Sequence, residues 1–208
     1  MDREYNDRYW EKEPTSHNLS LFLIRNLRPV FAKKYAKIMS KFVNDINRPK
    51  ILEVGCGTAA TLHYLKSYIS DLAGYGIDSS QVAVDIAESK GNNFNFLKGD
   101  AFDLPFKDNF NLAYSVGLIE HFSREEALDI MLQKKAAVVK NGYIGAVVPA
   151  KIGLLNLYER CLGKKWLFDT EIPFTGRELK EFMERMNLKD VRIYYVYFMT
   201  LLGIGRKV

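Results

Sequence analysis

The chain has 208 residues, with 30 Lys and Arg against 25 Asp and Glu and 48% hydrophobic side chains. That length holds one domain with a modest elaboration, and the composition excludes intrinsic disorder. No uncharged apolar run approaches the roughly 20 residues that span a bilayer. Cys56 and Cys161 are too few for a disulfide framework or a Cys-based zinc site, and no apolar signal core is found near Met1, so the expected compartment is the reducing cytoplasm. The net charge of +5 permits a phosphate-bearing partner without requiring one.

In chain order, the first feature is a basic stretch. Eight basic residues lie between Arg25 and Lys50 against one acid, Asp45. Phe31, Tyr35, Ile38, Met39 and Phe42 recur at helical spacing, and Lys33, Lys37 and Lys41 line another face. Pro29 suits a first helical turn. This reads as a helix packed on the domain with a solvated basic face, or as an anion-attracting surface near a substrate entrance. From residue 49 onward short apolar runs alternate with helical patterns. Strands are predicted at 50–54, 73–77, 94–98, 111–116 and 143–148. Helices are predicted at 58–68, from Asp78-Ser79-Ser80 to about 89, and at 124–139 with Asn141-Gly142 as its C-cap. Thr175 and Glu178 form a capping box for a helix to 186, and strands at 190–198 and 201–207 must pair as a hairpin. The result is an α/β, Rossmann-like three-layer sandwich whose mainly parallel seven-stranded sheet ends in an antiparallel C-terminal hairpin. The expected organisation is one domain over 1–208. It comprises a helical cap (1–48), a core (49–148), a lid-like insertion (149–173) and a closing helix and hairpin (174–208).

In such sheets ligands bind beyond the carboxyl ends of the strands, so the chemistry-bearing residues are sought there. Gly55 and Gly57 turn the chain sharply and let a ligand approach the backbone. Gly55-x-Gly57-x-x-Ala60, with Asp78 roughly 20 residues on, fits the loose dinucleotide pattern, which admits a nicotinamide enzyme as readily as a nucleoside-cofactor enzyme. Three carboxylates decide between them. Glu53 can meet a cationic group, Asp78 can accept from two ribose hydroxyls, and Asp100, beside backbone amides, can read an adenine edge. Together they would repel a pyrophosphate but suit a ligand with an amino group, a ribose and an adenine. That favours S-adenosylmethionine over NAD.

Four segments then carry a family resemblance. Glu53-Val54-Gly55-Cys56-Gly57-Thr58, Tyr75-Gly76-Ile77-Asp78-Ser79-Ser80, Gly99-Asp100-Ala101-Phe102-Asp103-Leu104-Pro105-Phe106 and Ser115-Val116-Gly117-Leu118-Ile119-Glu120-His121-Phe122 stand in order over about half the chain. They resemble the motifs of class I S-adenosylmethionine-dependent methyltransferases of the small-molecule type (methyltransferase domain 11-like). The resemblance implies that Glu53 and the backbone of Gly55, Cys56 and Gly57 hold the methionine end. It further implies that Asp78, with Ser79, holds the ribose and that Asp100, Ala101 and Phe102 hold the adenine. Ser115 and Gly117 would line the path to the sulfonium. Ala59 departs from the family, which usually has a third glycine there; being small, it should leave cofactor binding intact. Cys56 reads as a small turn residue rather than a nucleophile.

Methyl transfer needs a general base only when the acceptor starts protonated. The candidates are His121, Glu120, His17 and the N-terminal tyrosines, whereas His63 reads as structural. Acceptor choice should come from what covers the cleft: the aromatic cluster with Tyr9 and Trp10, and the Lys151–Pro173 stretch with Tyr158 and Trp166. The latter is apolar and basic, so it reads as a lid for an apolar or aromatic small-molecule acceptor, or as extra core or a homodimer contact. An RNA or protein methyltransferase guided by the basic helix is a second reading. The absence of an appended RNA-binding module and of an Asn/Asp-Pro-Pro-Tyr loop weighs against nucleic acid. A non-catalytic cofactor-binding module is the third, and the intact strand-end carboxylates weigh against it.

Overall fold

The computed structural model describes the backbone of residues 19–151 and 171–208, and side chains from residue 27 onward within them. The elements, in chain order, are α1 (Leu19–Ser40), β1 (Lys50–Val54), α2 (Ala60–Leu65), β2 (Ala73–Asp78), α3 (Gln81–Ser89), β3 (Asn95–Lys98) and β4 (Phe110–Val116). A single 3-10 turn (Ile119–His121) leads to α4 (Arg124–Ala137), β5 (Val138–Pro149), α5 (Gly176–Glu184), β6 (Lys189–Val196) and β7 (Thr200–Arg206). The seven strands form one sheet in the order β3-β2-β1-β4-β5-β7-β6. β1 to β5 run parallel, while β7 is antiparallel to both β5 and β6. The chain leaves β1 toward β2 on one side and returns to β4 on the other, so a crevice opens at the carboxyl ends of β1 and β4.

Alternation along the strands divides the core in two. Leu52, Val54, Ala113 and Ile144 face α4 and α5. Ile51, Leu112, Tyr114 and Val147 face the layer built by α1, α2 and α3. Parallel strands covered on both faces carry apolar side chains on both, which is why β1, β4 and β5 read as nearly continuous apolar runs.

Local rules explain most boundaries. Ser80 caps α3 by accepting from the Ala83 amide (3.3 Å). Both Ser123–Glu126 at α4 and Thr175–Glu178 at α5 close reciprocal capping boxes. Four expectations fail. Pro29 lies inside α1 rather than in its first turn, because the helix begins at Leu19. An interior proline costs about 3 kcal/mol, offset here by burial of Tyr35, Ala36 and Met39. The helix expected at 58–68 is regular only over Ala60–Leu65. α4 stops at Ala137, and Asn141-Gly142 is no C-cap. It lies within β5, where the register jumps between Phe110↔Val138 and Leu112↔Tyr143. Asn141 takes a left-handed φ of 65° there. A Cβ at Gly142 would stand 2.9 Å from the Asn111 carbonyl oxygen, so the bulge needs a glycine. The expected strand to residue 198 ends at Val196, and Tyr197 and Phe198 form the turn into β7.

Candidate functional site

The turn after β1 is pinned to the end of β2. The amides of Gly55 and Cys56 both donate to the Ile77 carbonyl (2.8 and 3.0 Å), and the Gly57 amide donates to Asp78 Oδ2 (2.7 Å). Asp78 Oδ1 accepts from the Ser80 amide (3.0 Å). The Gly99 amide in turn donates to the Asp78 carbonyl (2.8 Å), so one residue ties together the loops after β1, β2 and β3. Gly55 and Gly57 have φ of 64° and 50°. Leu118, from the loop after β4, packs over Gly55, and a Cβ there would lie 2.9 Å from its side chain.

Ala59, the residue that departs from the family pattern, adopts φ 52° and ψ 34°. Its position therefore favours glycine on backbone grounds, while its fully buried methyl gains packing in exchange.

Glu53 is turned sideways rather than outward. It is buried on the α2 side of the sheet, where Oε2 accepts from the Tyr114 hydroxyl (3.1 Å) and the Leu62 amide (3.3 Å). Burial lifts its pKa to about 8 against the opposing pull of those hydrogen bonds. The Cys56 thiol is buried, and burial together with Glu53 and Asp78 pushes its pKa up. It is a protonated turn residue with no thiolate character.

At the end of β3, exposed Asp100 holds its own loop, Oδ1 accepting from the Phe102 amide (2.9 Å). Phe102 meets Phe122 edge-on with centroids 5.3 Å apart. At the end of β4, Gly117 has φ 67°, and a Cβ there would approach nothing nearer than Glu120 Oε1 at 3.7 Å. Ser115 points the other way. It is fully buried on the α4 side, and its Oγ accepts from Lys134 Nζ (2.8 Å). Period-two geometry accounts for this: with Tyr114 facing α2, Ser115 must face α4.

Glu120 and His121 lie in the 3-10 turn beneath this loop. Glu120 is buried, Oε2 has no hydrogen-bond partner among the described residues, and burial raises its pKa to about 8; Glu171 reinforces the rise and Lys134 opposes it. His121 is half-buried with Nδ1 unpartnered among the described residues, and burial lowers its pKa, so the ring is neutral. His63 is occupied structurally, with Nδ1 2.6 Å from Asn92 and its ring near those of Phe94 and Phe96.

The structure therefore gathers Gly55, Cys56, Gly57, Asp78, Ser79, Gly117, Glu120 and the Asp100–Phe102 loop around one crevice. It turns Glu53 and Ser115 into the two flanking layers. Tyr9, Trp10, His17, Tyr158 and Trp166 lie outside the described residues. Sequence reading missed Tyr114, Glu171 and Lys134. Lys134 had a signal: it continues the Ala127, Ile130, Met131 stripe of α4, an apolar face on which a lysine is anomalous. Among the described residues no group of three or more His, Cys, Asp or Glu could hold a metal ion.

Glu53 and Glu120 imply a definite pH dependence. Their pKa values rise from 4.5 to about 8 on folding, so the folded protein binds more protons than the unfolded one between those limits. Their contribution to stability is complete below pH 4.5 and lost as pH rises toward 8, each at up to about 1.4 kcal/mol per pH unit. Lys134, lowered to about 7, adds the opposite slope only above that pH. Urea midpoints should be higher near pH 5.5 than near pH 7, with Glu120→Gln flattening the difference. A midpoint that instead rises over this range would mean that the two carboxyls fold ionised.

Residues 51–142 match a family model described as "Methyltransferase domain". The chain is 33% identical over 75 residues to a demethylmenaquinone methyltransferase of Thermotoga maritima, covering 36% of this chain and 33% of that protein. It is 30% identical over 101 residues to a fatty-acid O-methyltransferase of Mycolicibacterium smegmatis, covering 47% and 36% respectively. The chain thus spans about a third of the length of these two relatives. Magnesium protoporphyrin IX methyltransferase from Synechocystis, crystallised with bound SAH, superposes with a TM-score of 0.74 at 16% identity, covering 99% of this chain and 98% of that one. Residues 51–142 thus match a methyltransferase domain, and the seven-stranded, mainly parallel sheet with its antiparallel C-terminal strands has the α/β Rossmann-like methyltransferase fold.

Proposed function

We propose that this protein transfers a methyl group from S-adenosylmethionine to a small apolar or aromatic acceptor. The observation that carries the reading is the joining of the β1, β2 and β3 loops through Asp78, with a half-exposed carboxylate in a crevice floored by glycines. That donor set fits the cofactor. Carboxylates at Asp78 and Asp100 suit ribose hydroxyls and an adenine amino group. Bound there, S-adenosylmethionine would supply a methyl carbon already activated by its sulfonium. The chain's own contribution is alignment and exclusion of water. The space above Gly117 leaves room for an acceptor to approach. Neutral His121 Nδ1 is the group able to take a proton from a protonated acceptor, and the Glu120 carboxyl, raised to about 8, could do so only once alkaline pH ionises it. The apolar character of the acceptor is supported by the relatives, whose names specify a quinone, a fatty acid and a porphyrin.

Calorimetric titration with S-adenosylmethionine, with NAD as control, tests the cofactor. Heat from the first alone supports the reading, followed by methyl turnover on a panel of lipophilic alcohols, phenols and carboxylates. Binding of NAD alone would replace it with an oxidoreductase. Cofactor binding with no turnover on any acceptor would leave a binding module.

A further inference from the structure

The turn between β6 and β7 is built from the wrong residues for its own backbone. The Met199 amide donates to the Val196 carbonyl (3.1 Å), closing a β-turn inside the three-residue hairpin loop that joins Val196 to its strand partner Thr200. The central residues of that turn, Tyr197 and Phe198, have φ of 49° and 57°. Positive φ at both centres is the signature of a type I′ turn, whose favoured occupants are Asn-Gly and Asp-Gly. Large aromatics there strain the backbone, and Phe198, 81% exposed, gains little burial in return, while Tyr197 remains 49% exposed.

The turn does not stand alone. Tyr197 meets Phe31 of α1 edge-on (5.0 Å), and the Tyr35 hydroxyl is 2.8 Å from Thr200 Oγ1, so the middle of α1 is fixed beside the tip. There α1 exposes Leu27 (38%) and Val30 (48%). The same outer row continues at helical spacing through Lys34, Lys37 and Lys41, all exposed. With a rise of about 1.5 Å per residue, Lys34 and Lys37 stand roughly 6 and 10 Å from Val30. Apolar and aromatic groups at a tip, backed by lysines within a Debye length, match the layering of a lipid interface. A second copy of this chain fits less well, because a twofold contact across the patch would set its lysine rows against each other. The tip also lies at the crevice end of the sheet: Thr200 pairs with Pro149 at the carboxyl end of β5, and the Ala150 amide donates to the Met199 carbonyl.

We propose that Tyr197, Phe198, Leu27 and Val30, with Lys34 and Lys37 behind them, form a docking surface for an anionic lipid bilayer. Docking sets the crevice end of the sheet against the bilayer. That an acceptor is drawn from the lipid rests on the proposed function, whereas docking itself does not.

The test is flotation with vesicles of phosphatidylcholine alone and of phosphatidylcholine mixed with phosphatidylglycerol. The protein should bind the mixed vesicles more tightly, and less so as salt is raised. Tyr197→Asn combined with Phe198→Gly should weaken binding at least about tenfold while keeping or raising Tm, since the turn receives its preferred residues. Lys34→Glu with Lys37→Glu should abolish the preference for phosphatidylglycerol. Calorimetric binding of S-adenosylmethionine should be the same in all variants, which separates failure of docking from failure of the cofactor reading. The proposal is overturned if the wild type binds neither vesicle, or if the turn variant binds as well as the wild type. A wild-type dimer that the turn variant makes monomeric would also overturn it, assigning the patch to self-association.

Discussion

Asp78→Ala is expected to weaken S-adenosylmethionine binding by at least about a hundredfold and to lower stability by about 2–4 kcal/mol. Both effects have one origin. The carboxylate accepts from the Gly57 and Ser80 amides, and hydrogen bonds to a charged acceptor contribute about 1.5–3 kcal/mol each, with the lower part of that range appropriate to a half-exposed group. Without them the β1 and β2 loops lose their common anchor, and the oxygens that would face two ribose hydroxyls are gone. Asp78→Asn is the informative companion. It keeps one oxygen for one amide but turns an NH2 toward the other, so it should fall between the wild type and Ala in both urea stability and calorimetric affinity. Wild-type affinity in the Ala variant would remove Asp78 from the binding site.

Lys134→Ala should cost about 3–5 kcal/mol of stability, whereas Lys134→Met should recover most of the loss. Lys134 is fully buried, and its ammonium donates to Ser115 Oγ (2.8 Å) and the Gly145 carbonyl (2.9 Å). Truncation leaves a cavity between α4 and the sheet and two acceptors without their donor. Methionine fills the volume with an apolar chain and restores none of the hydrogen bonds, so the difference between the two variants separates packing from polar satisfaction. Urea denaturation reads both. A loss under about 1 kcal/mol for Ala would show that the ammonium is not desolvated as the structure has it.

The fold was legible in the sequence because its signals are local and redundant. Apolar runs of strand length, glycine turns after β1 and two Ser/Thr–Glu capping boxes each fix an element without reference to the rest. Asn141-Gly142 misled for the same reason. Locally it is a helix stop, but the alternative, a bulge in β5 against Asn111, depends on a partner strand invisible to a local reading. At the site, strand-end positions were readable and side-chain directions were not. Ser115 was expected in the crevice and Glu53 at its rim, yet each is drawn into a flanking layer by a residue remote in sequence, Lys134 and Tyr114 respectively. Pairings across 19 and 61 positions leave no trace in spacing or composition.

The placing of β7 between β5 and β6 bears on how the chain is made. Synthesis delivers β7 after the other six strands, yet it fills an inner slot of the sheet. Until it arrives, the run Tyr143-Ile144-Gly145-Ala146-Val147-Val148 in β5 offers its amides and carbonyls along an open edge, uncharged and rich in β-formers. A nascent chain stalled before residue 200 would thus hold a sticky template that only its own final strand can cover. Ribosome-bound intermediates of that length are where chaperone demand and co-aggregation should concentrate.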